Sequence, residues 1–476
     1  MSSLADTISL KKDGFIVPIG DLREIWTEAR LREVVGSTHL EDHQIQFAQD
    51  YLIRTISMMA YLEARHLGPA IVDWTRNKVK WDERLHEITH DELAPCLLLE
   101  KVRYFKDVRK FFVAVILTDG EDTTLQPNQV MPLIGNDAMG DGQNGVVTGH
   151  EIPKGHLIRG NRPNSNKVFV AKKTLIRMKS VEEITILKTL RGLLLNKNIP
   201  IATCISLVTE ELLVHSLSDR SPHNLEDKLK ELNEYRVIDR LRLSDSIIQV
   251  RGIAEAVKFL HNNASNGPDT CFCHMDIKPS NILVYNSSSS SVGKWKIIDF
   301  GITTMSDKKP RKTGGGPRVG DKGQHITVTV GTHRRQLEGR YQPPEINRWA
   351  QTGENKYMGR GSDVWSLACV FSEVLAANLG ELFNLREQLV DGGSREDFFY
   401  EKRRALCTCQ SDHLPCLKHR RNPGFDKWLK EKGEPTNPIL ERCKALIKEM
   451  TEVKRIRRLK SEDVVRRIHE LVGALG

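Results

Sequence analysis

Four side chains at short, fixed intervals carry the chemistry that can be read from this sequence. The run CHMDIKPSNILV, Cys273 to Val284, holds Asp276, Lys278 and Asn281, and KIIDFG, Lys296 to Gly301, adds Asp299 at 23 positions beyond Asp276. A carboxylate can accept or orient a hydroxyl proton, and an ammonium can offset negative charge. A carboxamide oxygen and a second carboxylate are the hard oxygen ligands that magnesium takes. Either fragment alone reads as an Asp or Asn in a turn. Together, in this order and at this distance, they read as parts of one pocket.

Further candidates lie upstream. GDGQNGVV sets Gly140, Gly142 and Gly145 ahead of Val147, and glycines let a hairpin backbone lie over phosphates without side-chain obstruction. The competing use of such glycines, a dinucleotide-binding turn, needs a helix opening after Gly145. β-type residues and another turn follow instead. In VFVAKKTL, from Val168, strand alternation puts Lys173 on the face of Ala171 and turns Lys172 the other way. PKGHLIRGNRPNSN before it reads as an extended loop. In SVEEITILKTL, Leu187 and Leu190 follow Glu183 by four and seven positions, so Glu183 rather than Glu182 shares their helix face.

In this order the segments resemble the eukaryotic protein kinase superfamily: G-x-G-x-x-G-x-V, V-A-x-K, a helix with a glutamate, H-x-D-x-K-x-x-N and D-F-G. The resemblance implies ATP and Mg²⁺, with Asp276 as the group that orients or deprotonates a substrate hydroxyl. Lys278 would offset charge on the transferred phosphoryl group, and Asn281 and Asp299 would ligate magnesium. Gly140, Gly142 and Gly145 would cover the phosphates, with Val147, Ala171 and Leu283 beside the adenine. Lys173 would meet the α- and β-phosphates and pair with Glu183. YQPPEI, Tyr341 to Ile346, resembles the end of an activation segment with Glu345 as anchor and Arg458 as its partner. Asp363 would hydrogen-bond the catalytic-loop backbone. The resemblance covers about Lys110 to Gly476, roughly three quarters of the chain.

Departures from the pattern narrow what it implies. Met275 stands where many kinases carry an arginine that pairs with a phosphorylated activation loop, which argues against that switch. The HMD form, the WK before the DFG strand and the helical N-terminal region look similar to kinase-like proteins of filamentous fungi. The activation segment is long, 42 positions from Gly301 to Pro343, and Glu338 occupies the place where a threonine is usual. Lys278 within DIKPSN favours the serine/threonine class over the tyrosine class, and with the PPE segment it disfavours a small-molecule phosphotransferase.

The elements that must position these residues belong to a chain of 476 residues, long enough for two or three folding units. Apolar residues at 39% and charged residues at 28% place it among globular proteins. The longest apolar run, Phe111 to Leu117, is far short of the roughly 20 residues of a membrane span, and the N-terminus lacks the apolar core of a secretory signal. Nine cysteines without such a signal read as reduced thiols, so a cytoplasmic or nuclear setting is expected. The net charge of +9 is concentrated in a Gly-rich basic stretch from 307 to 340, read as a solvated insertion and not as a nucleic-acid site.

Ile45, Ala48, Leu52, Ile56 and Met59 share one helix face, and residues 1–105 read as a mainly helical accessory region that can serve a protein partner. KFFVAVIL and QVMPLIG read as short β-rich runs after it. Residues 286–292 read as a flexible serine hairpin loop, and 391–424 as an irregular polar insertion. Within the latter, Cys407, Cys409, His413, Cys416 and His419 supply enough ligands for zinc, but the spacing matches no standard motif.

The expected fold class is α+β: a bilobal protein-kinase-like fold, β-rich then helical, over 106–476 and preceded by the helical region. The N-lobe is expected at about 130–214, the C-lobe at about 224–476 and the activation segment at 299–345. The expected function is ATP-dependent phosphorylation of protein serine or threonine hydroxyls, with protein substrates and neither nucleic-acid nor membrane partners. The alternative is a pseudokinase scaffold that binds nucleotide or partners through the same fold.

Overall fold

The structure, a computed structural model, describes residues 16–36, 39–97, 99–142, 145–195, 197–234, 240–264, 270–307, 339–345, 359–391, 398–404, 417–431 and 437–475. It divides into two compact units, one of residues 1–181 with 204–220, the other of 182–203 with 221–476.

The first unit opens with helices α1 (Ile19–Ile25), α2 (Glu28–Val35), α3 (Asp42–Tyr51), α4 (Ile53–Tyr61) and α5 (Leu67–Arg76), followed by short helical pieces to Arg109. The apolar stripe expected on one helix, Ile45 to Met59, is buried throughout but runs over two helices, because Leu52 leaves the helical conformation between α3 and α4. A competing acceptor explains the restart. The Asp82 carboxylate takes the Arg54 and Thr55 N–H groups at 2.9 and 2.8 Å and so supplies a side-chain cap for α4. Burial pushes the Asp82 carboxyl up against these bonds.

The helical core continues through Phe105, Val108, Phe112 and Val113. KFFVAVIL is therefore mostly spent on closing that core, and its pairing is limited to an Ala114–Val130 bridge and β1 (Leu117–Thr118). Next come β2 (Thr123–Thr124), β3 (Ile134–Gly142), β4 (Gly145–Ile152), β5 (Leu157–Arg159), β6 (Arg162–Pro163), β7 (Val168–Ile176), β8 (Ser206–Glu210) and β9 (Leu213–Asp219). Six of them form one sheet in the order β2-β8-β9-β7-β4-β3. Its Ile152, Val170, Val208 and Leu217 pack with Leu117, Leu125, Met131 and Leu133 from the segment before it. The expected extended loop contains the β5–β6 hairpin, paired to β1. Its turn reaches α1 through the Gly20 N–H to Lys154 C=O bond. The approach requires Gly155, since φ is +80° and a Cβ there would lie 2.6 Å from the Gly20 nitrogen.

The second unit holds most of α6 (Val181–Leu194), then β10 (His223–Asn224), α7 (Leu225–Glu234), α8 (Arg240–Asn262), β11 (Thr270–Cys273), β12 (Ile282–Tyr285), β13 (Lys294–Ile297) and β14 (Thr304–Asp307). It continues with α9 (Arg360–Asn378), α10 (Leu382–Asp391), β15 (Tyr400–Arg404), β16 (Leu417–Arg421), α11 (Pro423–Lys430), α12 (Pro438–Met450) and α13 (Ser461–Gly473). Helix α9 is the centre of the core, buried at every position from Ser362 to Asn378. Against it pack α7, α8, α10 and α12.

The serine hairpin has the expected form, with Tyr285 opposite Lys294, but it is anchored: Asp245 Oδ2 accepts from Ser291 N and Oγ at 2.6 and 2.7 Å. The expected irregular insertion instead contains an antiparallel ribbon, Tyr400 opposite Arg421. Buried Phe399 fastens it by an edge-to-face contact with Phe425 at 4.8 Å. Cys407, Cys409, His413 and Cys416, and residues 308–338 of the basic stretch, lie outside the described residues. The six cysteines among the described residues are unbridged. No described helix is long and apolar enough to cross a membrane.

Candidate active site

The segment carrying Asp276 begins where β11 ends. Asp276 Oδ2 accepts from Lys278 Nζ at 2.8 Å and from Asn281 Nδ2 at 2.9 Å, and the same amide group donates to the Asp276 carbonyl at 2.9 Å. A 3-10 turn, Pro279–Asn281, brings the three side chains round to one another before β12 starts. The Ile298 N–H to Asn281 C=O bond ties this turn to the segment carrying Asp299, whose Oδ1 accepts the Gly301 N–H at 3.3 Å. Asp299 has φ +64°, a left-handed conformation that Asp tolerates better than most residues. The structure therefore brings Asp276, Lys278 and Asn281 into contact and ties Asp299 to the same turn.

His274 orients the segment from behind. Its Nδ1 faces the Asp276 N–H, which can only donate, so the proton sits on Nε2 and is donated to the Ile298 carbonyl at 2.9 Å. Its ring packs edge-on to Phe300 at 5.1 Å. Asp363, wholly buried on α9, accepts the N–H groups of His274 and Met275 at 2.9 and 2.8 Å, as expected, and also His261 Nε2 at 2.8 Å.

In the first unit, β3 and β4 form the glycine hairpin. Gly140 lies opposite Val147, and Gly142 opposite Gly145. Gly145 is required by close approach, since a Cβ there would meet the Thr174 carbonyl oxygen at 2.5 Å. Val147 is opposite Lys173 and Gly149 opposite Ala171, so Val147, Ala171 and Lys173 share one sheet face. Lys172 points to the other face, beside His150 and His215, and burial pushes its ammonium down. Glu183 is buried on α6 in line with Ile186, Leu190 and Leu194, while Leu187 is only half-buried. Leu283 is half-buried on β12, opposite Asn224.

A protein kinase domain family model matches residues 136–469. The chain belongs to the protein kinase family. Its relatives include the "Dual specificity protein kinase zak2" of Dictyostelium discoideum, 27% identical over 150 residues, which are 30% of this chain and 18% of that one. "Serine/threonine-protein kinase PKH2" of Candida albicans is 27% identical over 124 residues, 26% of this chain and 10% of that one. "Serine/threonine-protein kinase CAK1" of Saccharomyces cerevisiae is 29% identical over 143 residues, 30% of this chain and 32% of that one. The matched stretches thus span a third or less of these relatives. It is the family model that places the chain in the superfamily with the α+β kinase fold, and the resemblance to a fungal branch rests on the motifs alone.

The segment Tyr341–Glu345, expected as the end of an activation segment, is fastened by residues foreseen and unforeseen. The expected pair is present: Arg458 Nη1 and Nη2 meet Glu345 Oε1 and Oε2 at 2.7 and 3.1 Å. A second anchor was not foreseen. Glu373, buried on α9, accepts from Tyr341 Oη at 2.9 Å and from Arg386 Nε at 3.1 Å, and Arg386 continues to Glu226. Burial opposes charge on Arg386, but Glu373 and Glu226 outweigh it and hold the guanidinium above its ordinary value. Burial, then Glu373, pushes the Tyr341 phenol up, so it stays a donor. The signal for Glu373 lay in SDVWSLACVFSEVL, where a carboxylate ten positions beyond Asp363, deep in an apolar helix, has to be paired.

Met275 is also buried, in an apolar cluster with Cys271, Cys273 and Ile302. The bond to Cys271, together with burial, pushes the Cys273 thiol up and keeps it protonated.

Proposed function

We propose that this chain is an active protein kinase that transfers the γ-phosphate of ATP to serine or threonine hydroxyls of proteins. The observation that carries the reading is the triangle of Asp276, Lys278 and Asn281. It sets a carboxylate acceptor beside a cation, with Asn281 spending its NH₂ on Asp276. Asp276 would accept or orient the hydroxyl proton, and Lys278, already 2.8 Å from that carboxylate, would swing its charge toward the transferred group.

The donor set suits a hard divalent cation. The Asn281 amide presents its NH₂ to Asp276, which leaves Oδ1 as its ligand atom, and Asp299 supplies a carboxylate. Magnesium bound there supplies charge neutralisation for the phosphates. In the first unit we assign Gly140, Gly142 and Gly145 to the phosphates, Val147 and Ala171 to the adenine, and Lys173 to the α- and β-phosphates. In the second we assign Leu283 to the adenine and a catalytic role to Glu183. The serine/threonine preference rests on Lys278 within DIKPSN and on similarity to proteins named as serine/threonine kinases, such as PKH2 and CAK1.

The test is transfer of labelled γ-phosphate, with Mg²⁺, to a basic protein and to a Ser/Thr peptide pool. Phosphoserine or phosphothreonine that disappears with both Asp276→Ala and Lys173→Met establishes the reading. Absence of transfer by a folded, nucleotide-binding chain replaces it with a scaffold.

A further inference from the structure

The Met275 peptide is held on both sides by side chains remote in sequence. Its N–H donates to Asp363 Oδ1 at 2.8 Å, and its C=O accepts from Gln342 Nε2 at 3.0 Å. Met275 has φ +70°, a left-handed conformation that a bulky residue keeps only where its surroundings impose it, and the next residue is Asp276. Asp363 accounts for one half of that imposition. Nothing in the motif pattern accounts for Gln342.

Gln342 is only 6% exposed. Its orientation is unambiguous, because the Met275 carbonyl can only accept and must therefore face the NH₂ end. Its Oε1 is then buried with no hydrogen-bond partner among the described residues. A leucine or methionine would fill the same space without leaving an acceptor unsatisfied, so space filling does not explain the amide. The segment around it is fixed to the helices of the second unit by Tyr341 to Glu373, by Ser366 Oγ to the Tyr341 carbonyl at 2.8 Å, and by Glu345 to Arg458. The Met275 side chain packs with sulfur and hydrocarbon, from Cys271, Cys273 and Ile302.

We propose that Gln342 is a positioning residue. It fixes the Met275–Asp276 peptide, and through it the direction of the Asp276 carboxylate, so that the end of the activation segment and the catalytic loop are joined by a neutral hydrogen bond. The catalytic consequence rests on the kinase reading above. The hydrogen bond itself is tested independently of it.

The experiment compares full-length wild type, Gln342→Met and Gln342→Glu by thermal midpoint, backbone hydrogen exchange over residues 274–277, and steady-state kinetics. Gln342→Met keeps its thermal midpoint and its KM for ATP, exchanges at 274–277 about tenfold faster, and loses about tenfold or more in kcat. Gln342→Glu loses kcat at about pH 8 and recovers it toward about pH 6, because the introduced carboxyl, once protonated, again donates to the Met275 carbonyl. A filler role, which methionine would preserve, would leave both exchange at 274–277 and kcat of Gln342→Met unchanged.

Unchanged exchange in Gln342→Met overturns the proposal while leaving the kinase reading intact. Faster exchange with unchanged kcat also overturns it. Faster exchange in a chain whose wild type transfers no phosphate upholds the tie and removes the kinase reading. Should Gln342→Met fold poorly, the pH response of Gln342→Glu decides, and a flat response overturns the proposal.

Discussion

Asp363 holds Met275 in a left-handed conformation: its buried Oδ1 takes the Met275 N–H at 2.8 Å while Oδ2 takes the N–H of His274 and Nε2 of His261. Both carboxylate oxygens face donors, so an asparagine cannot substitute. Either placement of its amide turns an NH₂ toward an N–H. Asp363→Asn is expected to lose about 3 kcal/mol of stability in urea unfolding, the cost of a buried network broken at its acceptor. A loss below about 1 kcal/mol would show that the backbone of His274 and Met275 holds its conformation without this residue.

Arg458 and Glu345 allow a sharper partition. The Arg458 side chain is fully buried and also donates to the Gly361 and Glu452 carbonyls, so its fork serves three acceptors at once. Arg458→Lys keeps the charge but not the fork, and is expected to cost about 2 kcal/mol. Arg458→Met leaves Glu345 unpaired and is expected to cost about 3–5 kcal/mol. Adding Glu345→Gln to Arg458→Met should recover part of that loss, and a strictly additive double-mutant cycle would deny the coupling.

The legible parts of this molecule are those where function fixes residue type and spacing together. Asp276, Lys278 and Asn281 meet because six residues of chain constrain them, and Asp363 and Glu345 follow from motifs at set distances. The stripe from Ile45 to Met59 was legible as burial but not as two helices, because the cap that splits it, Asp82, lies 23 residues beyond Met59. KFFVAVIL reads as strand by β propensity, yet its aromatic and Val113 side chains are consumed by the helical core. Gln342 carried no signal at all, since its partner is a backbone carbonyl, which no sequence pattern displays.

The adjacent lysines on β7 separate a site residue from a neighbour. Lys172 is half-buried on the face that holds His150 and His215; burial pushes its ammonium down, and Glu210 partly offsets that. Lys172→Met therefore removes a poorly solvated cation and is expected to leave stability and nucleotide affinity within about twofold of wild type. Lys173→Met is expected to weaken ATP binding or turnover by about a hundredfold if it meets the phosphates as proposed. Binding of a fluorescent ATP analogue to the two variants decides, and equal losses would move the nucleotide assignment off Lys173.

His156 makes the stability of the first unit depend on pH. Its Nε2 accepts the Ile19 N–H at 3.1 Å and its Nδ1 donates to the Val115 carbonyl at 3.0 Å, so the ring is neutral and joins α1 to the segment before β1. Burial, with the nearby Arg54 guanidinium, pushes it down from 6.5 to about 3. A proton on Nε2 would confront the Ile19 donor. Below pH 6.5 the unfolded chain therefore gains a proton that the folded chain refuses until about pH 3, and stability falls as pH falls across that window. Above it the contribution is complete. The total is on the order of 5 kcal/mol, of which the first part appears between about pH 6.5 and pH 5. His156→Gln can accept from Ile19 and donate to Val115 without titrating, so its thermal midpoint should stay flatter than that of the wild type over the same range. Parallel curves for the two proteins would place the acid sensitivity elsewhere in the unit.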